Sequence, residues 1–281
     1  MSYGRRRRTG YPGRPRSGAK LRILLAVGMG IFALISYFGS ASYNPVTGEN
    51  QYLSLTPEQE IALGMQAAPE MIQQHGGLHP DAEAQALLDR IGERLVNHSA
   101  ARDTQWRFDF HLLADPQTVN AFALPGGQVF ITAALYSRFT SEGQLAGVLG
   151  HEIGHVVARH SAQRIAKSGL TQGLTGAVLV ASGESGYGSA QIAQMIGQMI
   201  NMQYGRDDEL QSDELGVLFM AEAGYDPRAL VDVMRILEEA SGDNRQPEFM
   251  STHPSPDNRV ARIREAIDRL FPDGVPEGLI G

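Results

Sequence analysis

His151-Glu152-Ile153-Gly154-His155 sets two imidazoles four residues apart, with a carboxylate next to the first. On a helix, positions i and i+4 lie about 40° apart around the axis and one turn along it, so both rings reach a single point. That arrangement can hold one zinc ion. Glu152, about 100° round from His151, then reaches a metal-held water without having to ligate. Zinc brings the pKa of such a water to roughly 7, and a carboxylate there can pass its proton to a leaving amine. The plain alternative is a chance pattern on a surface helix. Leu145, Val148, Leu149, Ile153, Val156 and Val157 argue against it, because they make the helix a buried one. Buried His and Glu are costly without a shared partner.

A catalytic zinc takes three protein ligands and leaves one position open. The chain has no Cys, so the third ligand must be His or a carboxylate. Glu209 and Asp213 are again i and i+4, in Arg206-Asp207-Asp208-Glu209-Leu210-Gln211-Ser212-Asp213. Glu209 is the candidate third ligand, and Asp213 the candidate partner of a ligating His or of substrate. Asp207 and Asp208 read more simply as acids favoured at a helix start. His253, in Thr252-His253-Pro254-Ser255-Pro256, could stabilise an oxyanion, cap the open metal position, or be a plain surface His. Arg259 could stabilise an oxyanion or pair with a carboxylate. His160 falls about 140° off the ligand face if the helix continues, and so reads as structural. His75, His79, His98 and His111 have no partner pattern.

These residues must be positioned by helices and a small sheet. Thr56-Pro57-Glu58-Gln59 is a capping box with Pro at the first helical position, and its helix runs to about Gln74. A second helix follows from Pro80. Trp106, Phe108, Phe110 and Leu112 alternate with polar residues as in a half-buried strand. Val119 to Leu124 and Gln128 to Thr132 flank Pro125-Gly126-Gly127, the pattern of a hairpin. The expected sheet has about three strands, all antiparallel. Ser141 to Gln144 opens the His151 helix, which should reach about Lys167. Residues 168–205 read as helices interrupted by a Gly-rich loop around Gly183 to Gly188, and Leu174 to Ala181 is too short to cross a bilayer. Helices are expected over Arg206 to Ala223, Pro227 to Ala240 and Asp257 to Leu270. The stretch Asn120 to Leu124 could accept a polypeptide by strand addition or be an ordinary edge.

Of the 281 residues, 24 are Lys or Arg and 31 are Asp or Glu, but the bases are not spread evenly. Residues 1–22 hold seven Arg and one Lys and no acid, leaving 16 bases against 31 acids in the rest. So acidic a body disfavours nucleic-acid binding. Ile23 to Gly39 carries no charge, and extended through Ala41 it is long enough to span a bilayer. By the positive-inside rule the basic head stays cytoplasmic and the body lies outside. A cleaved signal peptide is the alternative, with Gly39 and Ala41 as small residues at the cut.

Asn120-Ala121-Phe122-Ala123-Leu124-Pro125-Gly126-Gly127, the His151–His155 motif, Glu209 with Asp213, Gly224-Tyr225-Asp226-Pro227, and Thr252-His253-Pro254 with Arg259 occur in one order. In that order they resemble the M48 zinc peptidases, and the resemblance covers about Leu55 to Leu270. It is nearer to the single-anchor or exported members than to the prenyl-protein proteases, which have several spans. It implies an α+β, mostly helical zincin-like fold. It also implies one zinc per chain on His151, His155 and Glu209, with Glu152 as the base and Asp213 as proton donor or partner of a ligand; His253, from its own loop position, is the further catalytic candidate. The expected organisation is a basic tail at 1–22, an anchor or uncleaved signal at 23–41, a linker at 42–56 and a peptidase domain at 57–281. The expected function is zinc-dependent endopeptidase action on exported or membrane-associated, misfolded polypeptides. The alternative is a zinc-stabilised, chaperone-like binding module whose catalysis is absent or capped by His253.

Overall fold

A computed structural model describes residues 17–182, 203–241, 247–254 and 258–281. Helix α1 (Ser17–Phe38) leads into a hairpin of β1 (Ala41–Asn44) and β2 (Glu49–Tyr52). Helices α2 (Pro57–Gln74) and α3 (Ala82–Asn97) precede β3 (Asp109–Leu113), β4 (Ala121–Ala123) and β5 (Gln128–Thr132). Then come the short α4 (Ala133–Tyr136), α5 (Glu142–Val157) and α6 (His160–Ser182). The last group is α7 (Arg206–Glu222), α8 (Ala229–Ala240), the short α9 (Glu248–Thr252) and α10 (Arg259–Leu270). The fold is α+β and mostly helical, as expected.

Helix α5 is the axis of the domain. Nearly all of it is buried, and it packs on α7, α3, α8 and β4. Its start follows from Ser141, whose hydroxyl accepts the Gln144 amide. The capping box of Thr56 and Gln59 likewise opens α2. At the other end of α5, the carbonyls that no further helical turn can satisfy are taken up by the hairpin. Asn44 donates to the Val157 carbonyl at 2.8 Å and Gln51 to that of Ala158 at 2.8 Å. Residues 42–56, expected to be a linker, thus carry strands that cap the site helix.

The three-stranded sheet has the order β3-β5-β4. The β4–β5 hairpin is antiparallel as its turn requires, with Gly126 and Gly127 at φ 84° and 116°. The expectation of an all-antiparallel sheet is corrected: β3 pairs with β5 in parallel, Asp109 opposite Gln128 through Leu113 opposite Thr132. All five residues of β5 are buried, so it is the central strand, and β3 completes its second edge rather than lengthening the hairpin. Among the described residues no strand pairs with the outer edge of β4.

Another expectation fails informatively. The helix begun at Ser141 ends at Val157, because Arg159 adopts φ 57° and turns the chain before α6 starts. The Gly-rich loop expected around 183–188 lies outside the described residues, as does most of the basic head.

Candidate metal centre and active site

Two glycine contacts bring the site together. A Cβ on Gly154 of α5 would lie 3.0 Å from the Ser212 carbonyl oxygen, and one on Gly216 of α7 would lie 3.2 Å from the His151 nitrogen. Backbones this close place one turn of α5, His151 to His155, directly against the first turns of α7, where Glu209 and Asp213 sit. The start of α7 is fixed by Asp208, whose carboxylate accepts the Gly205 amide at 2.8 Å and Arg164 at 2.7 Å. The acid at the helix start therefore caps the helix, and the two acids one turn further in face the histidines.

The Nε2 atoms of His151 and His155 stand 3.0 Å apart. Glu209 places Oε2 3.4 Å from the first and Oε1 3.4 Å from the second. His253 closes the group, with Nδ1 3.1 Å from Glu209 Oε1. One ligand atom from each of His151, His155, Glu209 and His253 lies within 4.8 Å of the others, and all four side chains are buried. Glu152 lies beside them, with Oε1 3.5 Å from His253 Nε2.

The surroundings orient these groups. Asp213 Oδ1 bonds His151 Nδ1 at 2.9 Å, which turns Nε2 toward the cluster. Arg259 grips Asp213 with two bonds, Nε to Oδ2 at 2.7 Å and Nη2 to Oδ1 at 2.9 Å, and its Nη1 lies 3.2 Å from Glu209 Oε2. His155 Nδ1 lies 2.9 Å from His160 Nδ1, and His160 is tied in turn to Gln211 at 2.9 Å. Tyr204 stacks on His155 with centroids 3.8 Å apart, and Phe249 stacks on His253 at 4.4 Å.

Charge in this enclosure is regulated by burial against close partners. Burial pulls the His151 imidazole down, but its bonds to Asp213 and Glu209 outweigh that and hold it at about 9. A positive charge on its ring nitrogen is what these neighbours favour. Burial drives His155 well below its ordinary value and keeps its ring neutral. Burial also raises the Glu152 carboxyl, against the pull of His253 and His151. Burial would raise Glu209 and Asp213 too. Instead His253 with the two helix histidines lowers the first, and Arg259 with His151 lowers the second.

The donor set fits a divalent cation. Among the described residues, both oxygens of Glu152, Oε2 of Glu209 and Nε2 of His253 are buried without a hydrogen-bond partner, although Arg259 and His151 stand near the Glu209 oxygen and His253 near Glu152. The carboxyl groups of Glu152, Glu209 and Asp213 outnumber the guanidinium of Arg259 among the described residues, and a bound cation would offset that excess. Nitrogen and oxygen donors in a tetrahedral-sized group suit zinc.

The sequence profile of peptidase family M48 matches residues 82–267, which include every one of these side chains. The chain belongs to peptidase family M48. It is 29% identical over 247 residues to the mitochondrial metalloendopeptidase OMA1 of Schizosaccharomyces pombe, covering 86% of this chain and 69% of that one. Over 251 residues it is 29% identical to the beta-barrel assembly-enhancing protease of Escherichia coli K12, covering 84% and 50%. The human mitochondrial metalloendopeptidase OMA1 is 29% identical over 260 residues, covering 88% and 49%. The chain thus spans about half the length of the last two. Membership makes it a metallopeptidase-family protein, with a polypeptide as the substrate class.

In this M48 domain His151, His155, Glu209 and His253 stand in one group, with Glu152 and Asp213 against it. Arg259 pairs with carboxylates, the second of its two expected readings. His75, His79, His98 and His111 lie outside the group. Three residues support the group in ways that their spacing does not show. His160 contacts His155 because the helix breaks before it. Tyr204 carried no pattern and packs in from the segment ahead of α7. Asn120, ahead of β4, donates to Glu248 at 3.2 Å while its Oδ1 is buried without a partner. Asn120 lines a groove of about 300 Å³ along β4, together with Phe122, Leu124, Tyr204, Glu248 and His253.

Proposed function

We propose that the chain is a zinc-dependent endopeptidase, attached to a membrane by α1 with its domain outside the cytoplasm, that cuts exported or membrane-associated, misfolded polypeptides. The observation that carries this reading is the Glu152 carboxylate. It is buried, has no hydrogen-bond partner among the described residues, and stands on the same helix as two imidazoles whose Nε2 atoms meet at 3.0 Å. A buried carboxylate with a raised pKa and only the His253 ring beside it is a poor structural element and a good proton acceptor.

His151, His155 and Glu209 would hold the metal ion. When bound, zinc supplies a Lewis acid that polarises a peptide carbonyl and makes water acidic enough to be deprotonated near neutral pH. Glu152 takes that proton and delivers it to the amide nitrogen that leaves. Asp213 keeps the His151 ring turned so that Nε2 faces the site, and Arg259 holds Asp213. The substrate lies as an added strand on the open edge of β4, where main-chain bonds select for unfolded chain rather than for one sequence. The side-chain Oδ1 of Asn120, without a partner among the described residues, accepts a substrate N–H.

Glu152→Gln is the test. The variant should keep one zinc per chain while cleavage of an unfolded protein falls by about 10²–10⁴-fold or more. Unchanged cleavage would refute the mechanism, and lost zinc would make Glu152 a ligand instead.

One observation favours a second reading. His253 stands within ligand distance of the same point as the other three, and a fourth protein ligand closes the position that catalysis needs. In that form the domain binds polypeptide without cutting it. If His253→Ala raises chelator-sensitive cleavage, the capped form is the resting state of an enzyme. If neither wild type nor His253→Ala cleaves, the domain is a binding module.

A further inference from the structure

Helix α1 is long and apolar enough to cross a bilayer, with a mean hydropathy of 2.0 over Gly18–Phe38. Most of its surface is open, and Leu24, Phe32 and Ile35 stand fully outward. One stripe is covered. Ala26, Gly30, Ala33 and Tyr37, spaced by four, three and four, are its inward positions. On α6 the inward positions Ala166, Leu170, Gly173 and Ala177 have the same spacing. The two stripes face each other in opposite directions. A Cβ built on Gly173 would lie 2.9 Å from Ala33 Cβ, one on Gly30 3.9 Å from Leu174 Cδ2, and Tyr37 and Ala166 line one cleft. Small residues repeated about every 3.5 positions form the seam that helices use against one another in lipid.

We infer that α6 enters the bilayer beside α1, so that Leu174 and Val178 face acyl chains and α1 is kept as an anchor rather than removed as a signal. The contact at Ala33 and Gly30 lies in the middle of α1, so whatever immerses α1 immerses the half of α6 packed on it. That half suits the surroundings. After Lys167 it has no charged residue through Ser182, and its outward side carries Leu174 and Val178, the latter 68% exposed. Among its polar residues Thr171 donates to the Lys167 carbonyl and Gln172 has a partner, and the others are Ser and Thr, whose hydroxyls a helix can turn back onto its own carbonyls. Fifteen uncharged residues reach about 22 Å, short of a ~30 Å core, so α6 would not insert alone and does so as the partner of a full span. Were α1 cleaved away, the covered stripe of α6 would be bared to water.

The arrangement sets the depth of the metal centre. His160, the first residue of α6, bonds His155, and Lys167 is the last charge before the apolar half. Seven residues of helix place the site about 10 Å above the membrane surface. Substrate is therefore polypeptide emerging from, or lying on, that same membrane.

The chain has no cysteine, so single cysteines report cleanly. In the full chain carrying Glu152→Gln, in open membrane fragments, a membrane-impermeant maleimide should label Glu83→Cys equally with and without detergent. Val178→Cys should label roughly ten-fold more slowly until detergent is added. Ala33→Cys with Gly173→Cys should form an intramolecular disulfide under mild oxidation, which also shows that the helices pack. Labelling of Val178→Cys at the Glu83→Cys rate in intact fragments, absence of the disulfide, or a mature chain lacking α1 would each overturn the inference. None of these readouts depends on proteolysis.

Discussion

The contact between Gly154 and Ser212 offers a test of how the metal centre is built. Gly154→Ala places a methyl carbon 3.0 Å from the Ser212 carbonyl oxygen and 3.2 Å from its Cα and Oγ, where ordinary contact begins at 3.4 Å. The obstacle is helix backbone, so α7 must retreat by about 0.4 Å, taking Glu209 and Asp213 with it. Metal sites tolerate deviations of about 0.2 Å in ligand distance. Zinc affinity, measured by competition with a chelator, should therefore fall by about 10–100-fold, the cost usual for disturbing a ligand's support. Gly154→Val should in addition lose about 1–3 kcal/mol of stability through overpacking. Gly147→Ala is the control. Its methyl meets Leu230 at 3.3 Å on α8, away from every ligand, so it should lower the melting temperature of the metal-free protein and leave zinc affinity unchanged. Wild-type zinc affinity in Gly154→Ala, with wild-type stability, would refute the argument that helix spacing sets the ligand geometry.

Three further expectations follow from the side chains around the site. Arg259→Gln leaves Asp213 and Glu209 buried beside an uncharged partner and should cost about 3–5 kcal/mol in urea unfolding. Arg259→Lys should recover little of it, because an ammonium cannot make both bonds to Asp213. Asn120→Ala removes the anchor of Glu248 and the unpaired acceptor in the groove. Steady-state kinetics on an unfolded substrate should show KM raised more than kcat is lowered, and a fall in kcat at constant KM would argue against a substrate-positioning role. At Asp115, burial raises the carboxyl, but bonds from Thr118, the Gln117 amide and His75 outweigh it and hold the group below its ordinary value. The unfolded chain then takes the proton first as pH falls, so the stabilisation is complete above about pH 4 and lost below it. Between pH 5 and pH 3 the urea midpoint of Asp115→Asn should therefore drop less than that of the wild type, and an equal drop would refute this account.

The candidate ligands were legible in the sequence because their spacing is local. An i, i+4 pair on each of two helices states its own geometry, and the absence of Cys narrows the third ligand to carboxylate or His. The relations between segments were not local. Nothing in the alternation of Phe108, Phe110 and Leu112 says that β3 will pair in parallel with β5, because periodicity reports which face is buried and not which neighbour buries it. The hairpin of β1 and β2 was hidden for the same reason. Asn44 and Gln51 read as turn and linker residues until the ends of α5 give their amides something to bond. Gly150, Gly154 and Gly216 carry no periodic signal, yet they let α5 and α7 approach.

Arg159 joins the parts. A non-glycine residue at φ 57° costs about 1–3 kcal/mol and persists only where its surroundings hold it. Here Arg159 is held by the buried carboxylate of Glu60, by the Leu55 carbonyl at 3.1 Å and by the face of Trp106 at 5.4 Å. Had the helix run straight to Lys167, as its sequence pattern suggests, His160 would point about 140° from the ligand face and could not reach His155. The break returns His160 to His155 and sends α6 along α1. A single strained residue therefore supports the His155 imidazole of the candidate metal group on one side and directs the helix that meets α1 on the other. Glu60→Gln should accordingly disturb both, loosening zinc and weakening the Ala33–Gly173 contact in the same protein. A variant that lost one and kept the other would show that the break at Arg159 does not couple them.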